Sequence, residues 1–134
     1  MQCQTKAKEI HTAAANMTRP RLGTMSHVSE TSCGMLRKAL DAFARLDAGA
    51  AARAIAEDTT IDTEFRAILR QLVTFMMEDP RTISTSLHIV WVAKAFERIG
   101  DHAKNIAEQV IYVAKGRDVR HTPLAEVERE ALGR

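Results

Sequence analysis

The sequence predicts an all-α chain built around an elongated antiparallel three-helix bundle, and three observations carry that expectation. Apolar residues recur at three- and four-residue spacing through three long segments, the period of a helix with one buried face. Three prolines and six glycines leave those segments long, with no strand-and-turn alternation between them. Aromatic residues are only 4% of the chain against six methionines and many Ala, Leu and Ile, a composition that suits helix over sheet. At 134 residues there is room for about one domain.

The first long segment, about Pro20 to Leu46, carries Met25, Val28, Met35, Ala39, Phe43 and Leu46, with Leu36 and Leu40 beside them. Leu46-Asp47-Ala48-Gly49 breaks it: Gly49 tolerates the left-handed conformation that ends a helix, and Asp47 is able to cap the next one. So short a turn makes the neighbours antiparallel. The second segment, about Ala50 to Glu78, repeats Ile55, Ile61, Phe65, Ile68, Leu69, Leu72, Phe75 and Met76. Asp79-Pro80 closes it, because proline lacks an amide hydrogen and disfavours helix in the residue before it, yet suits a first helical turn with Asp79 as cap. The third, about Arg81 to Lys115, has a heptad-like stripe of Ile89, Val92, Phe96, Ile99, Ala103, Ile106, Val110 and Val113 and ends at Gly116. At roughly 35 residues it spans on the order of 50 Å. Residues 1–19 read as a remnant helix and linker, with a short Ala-rich helix over residues 2–17; residues 20–117 form the bundle; and residues 118–134 are expected to be a tail, either a short, weakly docked helix or disordered.

The formal charge is +2, from 19 basic and 17 acidic residues, and no long basic run or interleaved aromatic platform speaks for nucleic acid. No apolar stretch approaches the roughly 20 residues that cross a bilayer, so membrane contact is expected only through a partner. Cys3 and Cys33 stand apart, with neither a CxxC nor a secretory leader, which favours a reducing cytoplasm.

Two acidic pairs stand out. Asp58 and Asp62 lie in one three-four series with Ile55, Phe65, Leu69, Leu72 and Met76, on or beside the buried stripe. Like charges one turn apart repel, and burial strips each of water, so the placement calls for compensation. Glu97 and Asp101 share a face with Lys94, Asn105 and Glu108, which counting places roughly opposite the stripe of Phe96, Ile99 and Ala103. Four carboxylates from adjacent antiparallel helices are able to converge as hard oxygen ligands for Mg, Mn, Ca or iron. The competing reading is a solvated or salt-bridged face, with Lys94, Arg98 and Lys104 neutralising Glu97 and Asp101. His88 and His102 are single histidines, more often surface or packing residues than ligands. Gly100, costly in mid-helix, suggests close approach of another backbone. GxSxG, HExxH, a Gly-rich phosphate loop and the Glu-x-x-His of di-iron bundles are all missing from the chain, so no catalytic residue is assigned.

The stretch Phe96-Glu97-Arg98-Ile99-Gly100-Asp101-His102-Ala103-Lys104-Asn105-Ile106-Ala107-Glu108 resembles the ERIGDHAxNIAE signature of the PhoU family. The likeness extends to Glu57-Asp58-Thr59-Thr60-Ile61-Asp62, Met76-Met77-Glu78-Asp79-Pro80 and Leu36-Arg37-Lys38-Ala39-Leu40-Asp41-Ala42-Phe43, and covers about residues 20–121. The family comprises cytoplasmic accessory proteins of the bacterial phosphate transporter that restrain phosphate uptake and repress the phosphate-starvation response, folded as two three-helix bundles in tandem. This chain is similar to the C-terminal bundle alone. The resemblance implies a metal site at Asp58, Asp62, Glu97 and Asp101, for a divalent or trivalent ion such as iron, zinc, magnesium or manganese, with Asn105 in support. It further implies a non-enzymatic negative regulator that contacts the transporter's ATPase subunit and a sensor histidine kinase, and self-association as a homodimer replaces the missing bundle. A metal-storage or redox bundle, or an inert structural fragment, are the alternatives.

Overall fold

The computed structural model describes residues 20–133, with side chains from Thr24 onward. All regular structure among these residues is helical: α1 (Pro20–Arg45), α2 (Ala48–Glu78), a 3-10 turn (Pro80–Thr82), α3 (Ile83–Lys115) and α4 (Leu124–Leu132). The expected all-α bundle is observed, with α1, α2 and α3 packed pairwise on one another. The helix expected over residues 2–17 lies outside the described residues.

The α1–α2 turn departs from expectation. Asp47 does cap α2, its Oδ1 accepting from the Ala50 amide at 2.9 Å. The left-handed residue is Leu46, with φ of 51°, while Gly49 sits inside the first turn of α2. The reason is the brevity of the connection. The Asp47 amide donates to Ala42 O at 3.0 Å to close α1, and the Asp47 side chain opens α2, so the reversal falls at Leu46, three residues before Gly49. A left-handed leucine costs roughly 1–2 kcal/mol. Asp79 caps the 3-10 turn by accepting from the Arg81 amide at 3.0 Å. Gly116, at φ of 71°, ends α3 with its amide on Tyr112 O.

The core has two parts. Towards the α1–α2 turn it is alanine-rich: Ala39 and Ala42 of α1, Ala51, Ala52, Ala54 and Ile55 of α2, and Ala103, Ala107, Val110 and Ile111 of α3 are buried together. Towards the α2–α3 turn, Val28, Ile68, Leu72 and Ala93 are buried, with Phe65, Ile89, Val90 and Phe96 packed against them. Helix α4 docks on the first part through Val127 and Ala131. The buried line of α3 runs through Ser86, Ala93, Gly100, Ala103, Ala107, Val110 and Ile111; of the stripe read from the sequence, Ala103 and Val110 lie on it, Ile89, Val92, Phe96, Ile99 and Ile106 are half-buried, and Val113 is exposed. Along the middle of α3 the buried positions are small, Ala93, Gly100, Ala103 and Ala107, and towards its C-terminal end they are Val110 and Ile111.

Candidate functional site

That rotation of α3 places the acidic residues. The α3 face at Gly100 is crowded: a Cβ there would lie 3.0 Å from Ile61 Cδ1, close enough that the isoleucine would have to give way, and 3.5 Å from Asp58 Oδ1. The close neighbour is therefore a pair of α2 side chains, and not a backbone as the sequence suggested. Glu97 stands one turn before Gly100 and Lys104 one turn after it, so both flank the contact with α2 instead of facing away from it. The expectation that Glu97 points away from the packed face is thus corrected, whereas Asp101 is exposed, as counting placed it.

Asp58 is buried, its side chain only 7% exposed. Its Oδ2 accepts a hydrogen bond from Lys104 Nζ at 3.0 Å across the two helices, while Oδ1 is buried with no partner. On α3, Lys94 Nζ lies 2.5 Å from Glu97 Oε2, an ion pair outside hydrogen-bond geometry. The same ammonium stands 5.4 Å from the centroid of the Phe65 ring on α2. Partial burial, reinforced by the charges of Asp58 and Glu97, pushes the Asp62 carboxyl above its ordinary value. Asp101 is raised in the same way, by burial first and then by Glu97, Asp58 and Asp62. Each helix's acidic pair therefore feels the other's, and two lysines face the four carboxylates.

Hard oxygen donors in this number suit a small hard cation. Among the described residues, however, no three His, Cys, Asp or Glu side chains gather closely enough to hold one. Lysine ammoniums stand beside Asp58 and Glu97. His88 and His102 are exposed, and His102 lines a shallow groove with Phe43 of α1.

Beside the acidic cluster opens a cleft of about 580 Å³, whose lining includes Asp58, Asp101, Lys104, Asn105 and Glu108. Its far wall is the connection between α3 and α4, which contributes Arg120 and His121. Burial raises the Glu108 carboxyl, opposed by the charges of Lys104, His121 and Arg120. Arg120 is folded back onto Asp118, holding that carboxyl down to about 2. Sequence reasoning missed this wall. The only local signal was a reversal between Gly116 and Pro123, where His121 has a φ of 63°.

A family model described as the PhoU domain matches residues 25–110. The chain is similar to the phosphate-specific transport system accessory protein PhoU homolog of Pseudomonas putida, with 50% identity over 107 residues, 80% of this chain and 42% of that protein. It is 41% identical over 115 residues to phosphate-specific transport system accessory protein PhoU of Escherichia coli K12, covering 86% of this chain and 48% of that one. The crystal structure of PhoU from Pseudomonas aeruginosa superposes with a TM-score of 0.67 at 51% identity, over 69% of this chain and 44% of that chain. The chain spans about half the length of the curated relatives it matches.

Proposed function

This chain belongs to the PhoU family, and on that premise we propose that it is a non-enzymatic regulator of phosphate uptake and of the phosphate-starvation response. It acts by protein contact, between the ATPase subunit of a phosphate transporter and a sensor histidine kinase, in the cytoplasm. The observation that carries the reading is the accessory role in phosphate-specific transport that its relatives' names state. In keeping with a contact role, no helix among the described residues is long and apolar enough to cross a membrane. Leu40 and Phe43 of α1 and Leu46 of the α1–α2 turn, each about half exposed, are the surface we assign to a second copy in a homodimer.

A metal ion is part of the same reading, held by Asp58, Asp62, Glu97 and Asp101. Two features support it: the buried, unpartnered Oδ1 of Asp58, and the partial burial and mutual repulsion that raise Asp62 and Asp101. Bound iron, zinc, magnesium or manganese would supply positive charge that Lys94 and Lys104 meet only in part. Because Asp58 and Asp62 belong to α2 while Glu97 and Asp101 belong to α3, any shared occupancy ties the two helices together.

Pull-down of the transporter ATPase and of the sensor kinase by this protein tests the contact reading; capture of either supports it, and capture of neither favours an inert fragment. For the metal, the variant carrying Asp58→Asn, Asp62→Asn, Glu97→Gln and Asp101→Asn is expected to purify without the ion. Unchanged metal content would remove these four residues as its holders. Oxygen consumption by iron-loaded protein would favour a redox bundle instead.

A further inference from the structure

The metal reading asks for a carboxylate that the fold already holds with a lysine. The two oxygens of Asp58 differ. Oδ1 is shut in at the α2–α3 contact: a Cβ on Gly100 would lie 3.5 Å from it, and no donor meets it. Oδ2 accepts from Lys104 Nζ at 3.0 Å. Asp58 and Lys104 both line the cleft, and of the two side chains the lysine is the more open to water, at 39% against 7%. Lys104 therefore stands on the side from which a hydrated ion approaches Asp58. With the lysine in that place, no three His, Cys, Asp or Glu side chains among the described residues gather closely enough to hold an ion.

An ammonium and a metal ion are rivals for such an acid. Each needs the same oxygen lone pairs, and two nearby cations repel. Lys104 has a second carboxylate within reach. Glu108 follows it by four residues on α3, which puts the two side chains on one face, and both line the cleft. Their charges already act on each other: Lys104 is held above the ordinary amine value first by its bond to Asp58, against burial, and then by the charges of Asp58 and Glu108. Glu108 makes no ion pair with another described residue in this arrangement. Lys94 differs, because its partner Glu97 lies three residues away on the same helix, so that ion pair does not cross the contact.

We propose that Lys104 is a built-in competitor for the metal: its ammonium holds Asp58 in the empty protein, and Asp58 passes to the ion only as Lys104 swings along the cleft to Glu108. The lysine thus sets how tightly the ion is held, and it trades a tie between α2 and α3 for one within α3. By linkage, whatever Lys104 takes from the ion's affinity, the ion takes from the Lys104–Asp58 bond. Occupancy is thereby written on the outside of the molecule, because the charge moves along the cleft wall that faces Arg120 and His121. This rests on the metal reading above and deepens it by naming what regulates the site.

The test uses the full chain, stripped with chelator and dialysed, and Mn2+ alone as the probe, with free Mn2+ counted by its electron paramagnetic resonance signal. Lys104→Met is expected to bind Mn2+ roughly 10-fold more tightly than the parent. Lys104→Arg, which keeps the charge, is expected to bind no more tightly, and Lys115→Met, which removes a charge at the end of α3, is expected to change nothing. Glu108→Gln takes away the landing carboxylate and is expected to weaken binding about 3-fold. In the Lys104→Met background the same substitution is expected to have no effect, since Glu108 acts through the lysine. Circular dichroism verifies that each variant is folded, and thermal unfolding gives a second readout: saturating Mn2+ is expected to raise the melting temperature of Lys104→Met more than that of the parent. Mn2+ held by the parent as tightly as by Lys104→Met, or more tightly, overturns the competition and leaves the metal reading standing. An equal loss from Glu108→Gln in both backgrounds overturns the transfer to Glu108. Mn2+ bound by neither parent nor Lys104→Met overturns this proposal and the metal reading together.

Discussion

Lys104 of α3 donates to one oxygen of the Asp58 carboxylate on α2 at 3.0 Å, while the other oxygen of that carboxylate is buried with no partner. The bond crosses the two helices beside Gly100, and it is the polar tie nearest their tightest contact. Half of this carboxylate is satisfied within the chain and half is left for something else.

Removing the lysine strands the acid. Lys104→Met is expected to lower stability by about 2 kcal/mol, below the ~3–5 kcal/mol of a fully buried pair because the Lys104 side chain is 39% exposed and water reaches it. Adding Asp58→Asn to Lys104→Met is expected to recover part of the loss, with a coupling of roughly 1 kcal/mol in a double-mutant cycle. Urea unfolding at neutral pH measures all four proteins. Strictly additive effects would mean the bond contributes nothing of its own.

Asp62 and Asp101 give the opposite sign. Both carboxyls are raised in the folded chain by burial and by neighbouring carboxylates, so the folded state binds protons more readily than the unfolded one. Their contribution is fully present below the unfolded carboxylate range and lost as pH rises through the raised values. Asp62→Asn/Asp101→Asn is therefore expected to be more stable than the parent at pH 7 in chelator, by a few tenths of a kcal/mol per repelled pair, and the difference is expected to vanish near pH 3. Thermal unfolding across that range reads it out; a constant difference with pH would show that repulsion is not the cause.

Two mid-helix glycines separate propensity from packing. An added Cβ at Gly34 meets nothing within 4 Å, and Gly34→Ala is expected to raise stability by about 1 kcal/mol through helix propensity alone. At Gly100 the same Cβ lies 3.0 Å from Ile61 Cδ1, and Ile61 is fully buried. Overpacking of about 1–3 kcal/mol exceeds the gain, so Gly100→Ala is expected to lower the melting temperature. Shifts of the same sign in both variants would place Gly100 outside the tight contact.

The two acidic pairs were legible in the sequence. The one-turn spacing of Asp58 with Asp62 and of Glu97 with Asp101 identified the pairs, and the oddity of Gly100 marked a close approach. What could not be read was the rotation of α3. Counting weighted bulky residues, Phe96 and Ile99 above all, which are only half-buried, whereas Ala93, Gly100 and Ala107 are buried. A shift of the buried line by part of a turn brings Glu97 from the outer face to the α2 contact. The cleft wall at Arg120 and His121 was illegible for a simpler reason: it depends on where α4 docks, and Val127 and Ala131 find their partners far back along the chain.

Local chemistry in the chain itself decided the helices and their ends: apolar period, the Asp47 and Asp79 caps, and the Gly116 stop are short-range effects that act before any helix meets another. Tertiary packing decided the rest. Which acid is buried, which lysine reaches it, and that the left-handed residue is Leu46 rather than Gly49 follow from fitting three rods and a two-residue turn into one volume. Close packing fixes the rotation of each rod only when its neighbours are present, and a linear pattern carries no record of them.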